Sequence, residues 1–472
     1  MNHLLDESAW TSRLVATPAQ RARMTDSHKV LTAHDGEVYG LTRGFGPLVD
    51  YPADADPRRQ GLGLIRHLAV GQGEPLPARV TRTMGWLRLR GMSAGHSGID
   101  PAAWQHLAAQ WNAGFTPVVP RDGSLSASGD LVPLAHAALA ASGDSSQLAW
   151  AGSEQIPAAE SLSRLGLSPV VWEARLALAF VNGSSACLAV AMHNHQTLLD
   201  LTRLAARITG RITTLLGADP SPYGEPLNRV RNQTGQLQAA ESIRAELPVG
   251  HQRSAGRSLQ ERYSLRCAPQ VLGAVLDQLR TQGDFLALEA EGCTDNPVVA
   301  DGLVHHGGNF HAAPVGLVSD MHASCAHQVA LLMERQLALL VDPSSNGGLP
   351  PLLTPNPGGD SGLAGVQIAA SSHLSRIRQL GYPASMTSIP TNLENQDHTP
   401  MALNGANTVA EILTRLRWIA GSLLLATTQL THLSGATTED GLWAELRSAI
   451  PPLDRDRPLA ATITQAADLA LP

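Results

Sequence analysis

Four long stretches of this chain leave it little choice of architecture. They run from Ser185 to about Gly217, Pro269 to Glu291, about Val315 to Leu340 and Asn404 to Leu433. In each, Ala and Leu dominate, apolar residues recur at helical spacing and breakers are few. The loops between them hold Pro, Gly and Asn. That pattern predicts long helices gathered into a bundle, a mainly α fold. No region of comparable length alternates apolar and polar residues, and strands do not alternate with helices, so a doubly wound α/β fold is not expected. Before Asn182-Gly183 the texture differs. Gly and Pro cut the chain into short pieces, with turns at 44–47, 54–57, 71–77 and 117–123. Two domains are expected: a loop-rich N-terminal domain over 1–184, and a helical bundle with a short C-terminal segment over 185–472.

Composition narrows the function classes. Only 4% of the residues are aromatic, so a core made from a 43% hydrophobic chain must consist mainly of Leu, Ala, Val and Ile. The net charge is −7 and the arginines are scattered, which argues against a nucleic-acid partner. The run from Trp418 to Leu433 is interrupted by Thr427, Thr428, Gln429, Thr431 and His432. It reads as a buried helix, and no membrane partner is expected. Cys187, Cys267, Cys293 and Cys325 show no metal-type pairing and no secreted framework, and the N-terminus lacks a signal-peptide pattern. A reducing, cytoplasmic setting is expected. The chain has one lysine, Lys29, in the polar stretch Asp26-Ser27-His28-Lys29. Pyridoxal phosphate needs a lysine Schiff base, and a phosphate-binding P-loop needs Gly-Lys-Ser/Thr, so neither is expected.

Against that background Ser124-Leu125-Ser126-Ala127-Ser128-Gly129-Asp130-Leu131 has two readings. One is a polar surface turn. The other is chemical. Gly129 carries no side chain, so its nitrogen can approach the Ala127 carbonyl and close a five-membered ring. Loss of water from that ring and from Ser128 leaves a conjugated, electron-poor alkene made from the chain itself. Tyr39-Gly40-Leu41-Thr42-Arg43-Gly44-Phe45-Gly46 puts a tyrosine on a glycine-rich loop. It is a packing residue, or a general base if its pKa is lowered from about 10. Gln260 to Gln270 carries Tyr263 and Arg266 ahead of a helix. Arg266 has the planar fork that suits a carboxylate, or it simply sits exposed in a capping loop. Asp295-Asn296-Pro297 and Gly307 to His311 form another pair of polar loops. His305, His306 and His311 give no clean ligand set, so no metal is expected.

Taken together these pieces resemble the aromatic amino acid ammonia-lyase and aminomutase family. The matching motifs are the Tyr39 loop, Ala127 to Leu131 with Pro133-Leu134-Ala135-His136, Phe180-Val181-Asn182-Gly183, Tyr263 to Cys267, Thr294 to Pro297, Gly307 to His311, and Asn395-Gln396-Asp397-His398. Their order and spacing agree from about Tyr39 to Asp454. The resemblance implies that Ala127, Ser128 and Gly129 cyclise to a 4-methylidene-imidazol-5-one (MIO) group, with Tyr39 as the base that removes a β-proton. It implies that Arg266 holds the substrate carboxylate. Asn182, Tyr263 and Gln260 line the electrophile and help position the amine, Asn296 and Phe310 line the substrate, and Asn395 and Gln396 contact the substrate end of the pocket. It also implies a homotetramer whose active sites draw on three subunits. His67-Leu68 corresponds to the selectivity pair of the family, and His-Leu is the pair of its tyrosine-selective members. An imidazole nitrogen can bond a phenol, so L-tyrosine is the expected substrate and trans-4-coumarate the expected product. The chain departs from the family pattern at Ser126, for a usual glycine, at Arg43, for a small or polar residue, and at Glu261, for an aspartate. Arg376 stands where histidine and phenylalanine lyases carry a glutamate, which makes histidine a less expected substrate. A tyrosine 2,3-aminomutase giving β-tyrosine shares every motif named, and a phenylalanine or ring-substituted tyrosine ammonia-lyase is the other alternative.

Overall fold

The computed structural model describes residues 7–436 and 441–471. The four predicted helices are present as Ser185–Leu216, Ala268–Glu291, Ala313–Val341 and Ala402–Ser434. Each is built largely from Ala, Leu, Arg, Gln and Met, the best helix formers. The first ends at Gly217 and the last at Gly435, both with positive φ, the left-handed stop that a glycine supplies at a helix C-terminus. In the helix that runs through 418–433, residues Ile419 to Ala426 are buried, as are Thr427, Thr428 and Thr431. The threonines bond back to carbonyls one turn earlier, which removes the need for water. The run Ala174–Leu216 is also long and apolar enough to cross a bilayer, but 94% of its most apolar window is buried within the chain, as in a core helix.

The chain packs into two compact units. The first comprises residues up to His193, Gly283–Asp320 and Pro383–Asn407. The second comprises Asn194–Gln282, Met321–Tyr382 and residues from Thr408 on. This is a different partition from the expected cut between 184 and 185. Four of the divisions fall inside the long helices. The first unit holds three antiparallel two-stranded ribbons, Gln72–Pro75 with Pro120–Asp122, Leu148–Ala151 with Glu154–Pro157, and Val298–Ala300 with Leu303–His305. Its core contains most of the buried tryptophans, with Trp104, Trp111 and Trp172 each donating the indole N–H to a backbone carbonyl. The second unit has an aliphatic core of Leu, Ala, Ile and Val. All four cysteines are free thiols, with Cys187 and Cys325 buried.

Candidate active site

The loop 124–130 is held from several sides within the first unit. Leu125 accepts from the Met401 N–H at 3.0 Å, and Ser126 accepts from the Ala312 N–H at 3.3 Å. The Asp130 N–H donates to the Gly183 carbonyl at 2.8 Å. The Asp130 side chain is fully buried and accepts three hydrogen bonds, from Ser124 Oγ (3.1 Å), Ser126 Oγ (2.7 Å) and the Cys187 N–H (2.7 Å). Burial pushes its carboxyl above the usual range, while the hydrogen bonds, led by that of Cys187, pull against it. Ser126 has φ +57, a left-handed conformation that explains why a glycine is usual there. Here a serine is retained, and its hydroxyl bridges Asp130 and the Leu403 N–H at 3.0 Å.

Between these anchors the backbone doubles back so tightly that Ala127 and Gly129 form a bridged pair across Ser128. Gly129 has φ +70, and a Cβ on it would lie 2.4 Å from the Gly183 nitrogen. Only glycine fits both demands. Ser128 is gripped at two atoms: Asn182 Nδ2 donates to its carbonyl oxygen at 2.8 Å, and Gln396 Nε2 donates to its hydroxyl at 2.9 Å. The Asn182 Oδ1 atom is buried with no partner.

Ser128 opens into a cavity of about 490 Å³ lined by Tyr39, Phe45, His67, Leu68, Leu178, Asn182, Asn392 and Gln396, among others. The Tyr39 phenol oxygen accepts the Gly46 N–H at 2.8 Å, and its ring meets Phe45 edge-on. Burial raises the Tyr39 pKa, and the Gly46 bond only partly offsets this. The lowered pKa that a resting phenolate base requires is therefore not found within the chain. His67 sits in the last turn of the helix Pro57–Leu68, with Nδ1 3.1 Å from the Gly63 carbonyl. A carbonyl only accepts, so Nδ1 donates in this bond, and in the tautomer with its one hydrogen there Nε2 is left as an acceptor.

The remaining expected residues are not among those lining this cavity. Gln260, Tyr263 and Arg266 belong to the second unit. Tyr263 is 70% exposed, and the Arg266 guanidinium stacks 4.6 Å from its ring centroid, with Nε buried and unpartnered. Asn296 is buried, and its Oδ1 accepts the Gly307 N–H at 2.8 Å, fixing the 307–311 loop. Phe310 is half-buried and Asn395 is exposed. Arg376 pairs with Glu411 on an exposed surface of the second unit. Two features escaped the sequence reading: the convergence of Ser124, Ser126 and Cys187 on Asp130, and the contribution of Leu178 and Asn392 to the cavity. A carboxylate wedged between Ser-Gly and an apolar helix was the available signal for the first. Among the described residues no group of three or more His, Cys, Asp or Glu is placed to hold a metal ion.

The chain shares its organisation with known proteins. The family model for aromatic amino acid lyases matches residues 4–449. A histidine ammonia-lyase of Symbiobacterium thermophilum is 36% identical over 477 residues, covering 97% of this chain and 92% of that protein. Among solved structures, a tyrosine aminomutase from Streptomyces globisporus superposes with a TM-score of 0.91 at 26% identity, covering 99% of this chain and 94% of that one. A histidine ammonia-lyase from Trypanosoma cruzi does so with a TM-score of 0.85 at 29% identity, over 96% and 88% of the two chains. With a match that spans nearly the whole sequence, the chain belongs to the aromatic amino acid ammonia-lyase and aminomutase family and is a carbon–nitrogen lyase.

Proposed function

We propose that this protein is an ammonia-lyase that converts L-tyrosine to trans-4-coumarate and ammonia, using an MIO group formed from Ala127, Ser128 and Gly129. One observation carries the reading: Ser128 lies in a turn that already pairs Ala127 with Gly129, and its carbonyl and hydroxyl each receive a side-chain amide at the edge of the cavity. The residues present fit the group. A Cβ at position 129 has no room, and the carbonyl that would conjugate with the new alkene already accepts from Asn182. The group supplies an electron-poor alkene that turns the substrate amine into a better leaving group.

The chain's own residues would do the rest. Asn182 keeps an N–H on the Ser128 carbonyl, which draws electron density away from the alkene. Tyr39 takes the β-proton on its phenol oxygen, and the Gly46 N–H stabilises the charge that this oxygen carries when deprotonated. His67 Nε2 accepts the substrate phenol O–H, while Leu68 and Leu178 give the ring an apolar wall. A buried phenol without that acceptor would lose about 1–3 kcal/mol. Arg266 offers its fork to the carboxylate, with Tyr263 stacked on it, and Gln260 would add its side-chain amide. Asn296, Phe310 and Asn395 would complete the surroundings. We place these groups at the Ser128 cavity through a homotetramer, in which one copy supplies what another lacks.

A second reading is a histidine ammonia-lyase. The 36% identity to proteins of that name supports it, and an imidazole N–H would also satisfy the His67 acceptor. The test is to incubate the purified protein separately with L-tyrosine, L-phenylalanine and L-histidine, following the ultraviolet absorbance of the conjugated acid and chromatographing for β-tyrosine. Coumarate as the preferred product supports the proposal. Preferential formation of urocanate from histidine replaces it with the second reading, a dominant β-tyrosine peak makes the protein an aminomutase, and no product from any substrate refutes the family chemistry for this chain.

A further inference from the structure

The segment that carries Gln396 is built in an unusual way. Asn392, Leu393 and Glu394 have φ of +58, +55 and +61, three consecutive left-handed residues with no glycine among them. L-residues other than Gly visit this region singly and against steric resistance. The Asn395 N–H closes the turn onto the Asn392 carbonyl at 3.2 Å, and Thr391 and Gln396 exchange backbone hydrogen bonds at 3.1 and 3.3 Å across its base. The central positions of such a mirror-image turn normally demand Gly, Asn or Asp, yet here they are Leu393 and Glu394. Both are exposed, Leu393 by 85%, and no backbone hydrogen bond is donated by the Leu393 N–H. Neither side chain lines the Ser128 cavity. What the turn does accomplish is at its end: it places Gln396 Nε2 2.9 Å from the Ser128 hydroxyl.

We propose that Gln396 acts in the self-processing of the chain, as the donor to the Ser128 hydroxyl when it leaves, and that the left-handed turn 392–394 is the device that positions it. The inference rests on the MIO reading above. In the step concerned, the Ser128 Cα–H is lost as a proton, its electron pair forms the Cα–Cβ double bond, and the Cβ–Oγ bond breaks. The departing oxygen takes up a proton and leaves as water. Charge develops on Oγ as that bond breaks, and an amide N–H already aimed at it stabilises the developing charge. Separately, the Gly129 nitrogen bonds to the Ala127 carbonyl carbon and gives up its hydrogen, the Ser128 nitrogen gives up its own and forms a double bond to that carbon, and the carbonyl oxygen leaves with the two hydrogens as the second water.

The test uses the full chain made by brief cell-free synthesis, with maturation followed by intact mass over time. Each water lost lowers the mass by about 18 Da, by the stoichiometry of the modification. Three variants separate the contributions. Gln396→Leu removes the donor. Leu393→Pro forces φ negative and destroys the turn without removing a hydrogen bond. Leu393→Gly deletes the same side chain but keeps the left-handed conformation accessible. Loss of a single oriented donor slows a reaction by about a hundredfold in comparable sites. Gln396→Leu and Leu393→Pro are expected to mature at least tenfold more slowly, with species lighter by zero or one water persisting, and Leu393→Gly is expected to mature like the parent. Equal rates for Leu393→Pro and Leu393→Gly would overturn the positioning role, and a parental rate for Gln396→Leu would overturn the donor role. A parent chain that never loses mass would instead refute the MIO reading itself, so the two failures are distinguishable.

Discussion

Ser126 sets a strained backbone against two buried hydrogen bonds. Its φ of +57 is a conformation that a non-glycine residue occupies at a disadvantage of about 1–2 kcal/mol. Its hydroxyl is 1% exposed with its residue and joins two buried groups, Asp130 Oδ1 at 2.7 Å and the Leu403 N–H at 3.0 Å. Leu403 is the second residue of the helix Ala402–Ser434, where no intrahelical carbonyl is available to its N–H. Ser126→Ala keeps the strain and removes both bonds. An orphaned, buried N–H loses about 1–3 kcal/mol, and the lost bond to the carboxyl adds about 1 kcal/mol, giving a destabilisation of about 2–4 kcal/mol. Asp130 is not stripped bare, because Ser124 and Cys187 still bond it. Ser126→Gly loses the same bonds but relieves the strain. The greater freedom of glycine in the unfolded chain returns part of that relief, about 0.4–1 kcal/mol. The net is a destabilisation of roughly 1–3 kcal/mol, so glycine is predicted to be tolerated better than alanine by about 1 kcal/mol. Urea unfolding of the three proteins at equal chain concentration reads this from the midpoints, provided the slopes agree. If Ser126→Ala matches the parent, the hydroxyl bridge does not contribute. If alanine is tolerated better than glycine, the strain argument is wrong.

Other consequences are equally direct. Tyr39→Phe is predicted to lower kcat by about 10²–10⁴-fold while leaving the maturation mass unchanged, since the phenol contacts Gly46 and not Ser128. Because burial raises the Tyr39 pKa, the fraction of base grows with pH, and kcat/KM for tyrosine should still be climbing at pH 9; a flat profile from pH 7 would exclude Tyr39 as the titrating base. His67→Phe removes the phenol acceptor and is predicted to shift the tyrosine-to-phenylalanine ratio of kcat/KM by about 5–150-fold toward phenylalanine, the equivalent of 1–3 kcal/mol; unchanged selectivity would remove His67 from the site. The buried pair His195 and His322, with ring nitrogens 3.2 Å apart, is held neutral. Burial lowers His195 to about 4 and His322 well below its usual value. Folded pKa values below the unfolded one mean that this stability is present above about pH 6.5 and lost as pH falls toward 4, roughly 3 kcal/mol for His195 alone. His195→Asn should flatten the fall in unfolding midpoint between pH 7 and 4.5, and an unchanged slope would contradict the assignment.

Much of this protein could be read from its residues, for identifiable reasons. The long helices were visible because period and propensity are local properties, and the observed ends lie within a few residues of the expected ones. The cluster of Ser128, Asn182, Tyr39, His67 and Gln396 was named from motifs, and the structure brings these residues to one cavity. What stayed hidden depends on tertiary contact. Nothing local in Leu393-Glu394 announces a left-handed turn, because propensity there favours the ordinary regions. Likewise the direction of the Tyr39 shift is set by the packing around it, and the division into compact units falls inside helices that look uniform in sequence. Ser126 was recognised as a departure, but its compensation, a hydroxyl bridging residues 130 and 403, links positions that sequence spacing cannot connect.

On the function proposed above, Ala127, Ser128 and Gly129 become the electrophile of this lyase. Mass spectrometry of the proteolytic fragment that contains residues 124–131 tests it most directly, before any substrate is added. The expected fragment is lighter than its sequence by about 36 Da, two waters. A fragment at its full unmodified mass would contradict it.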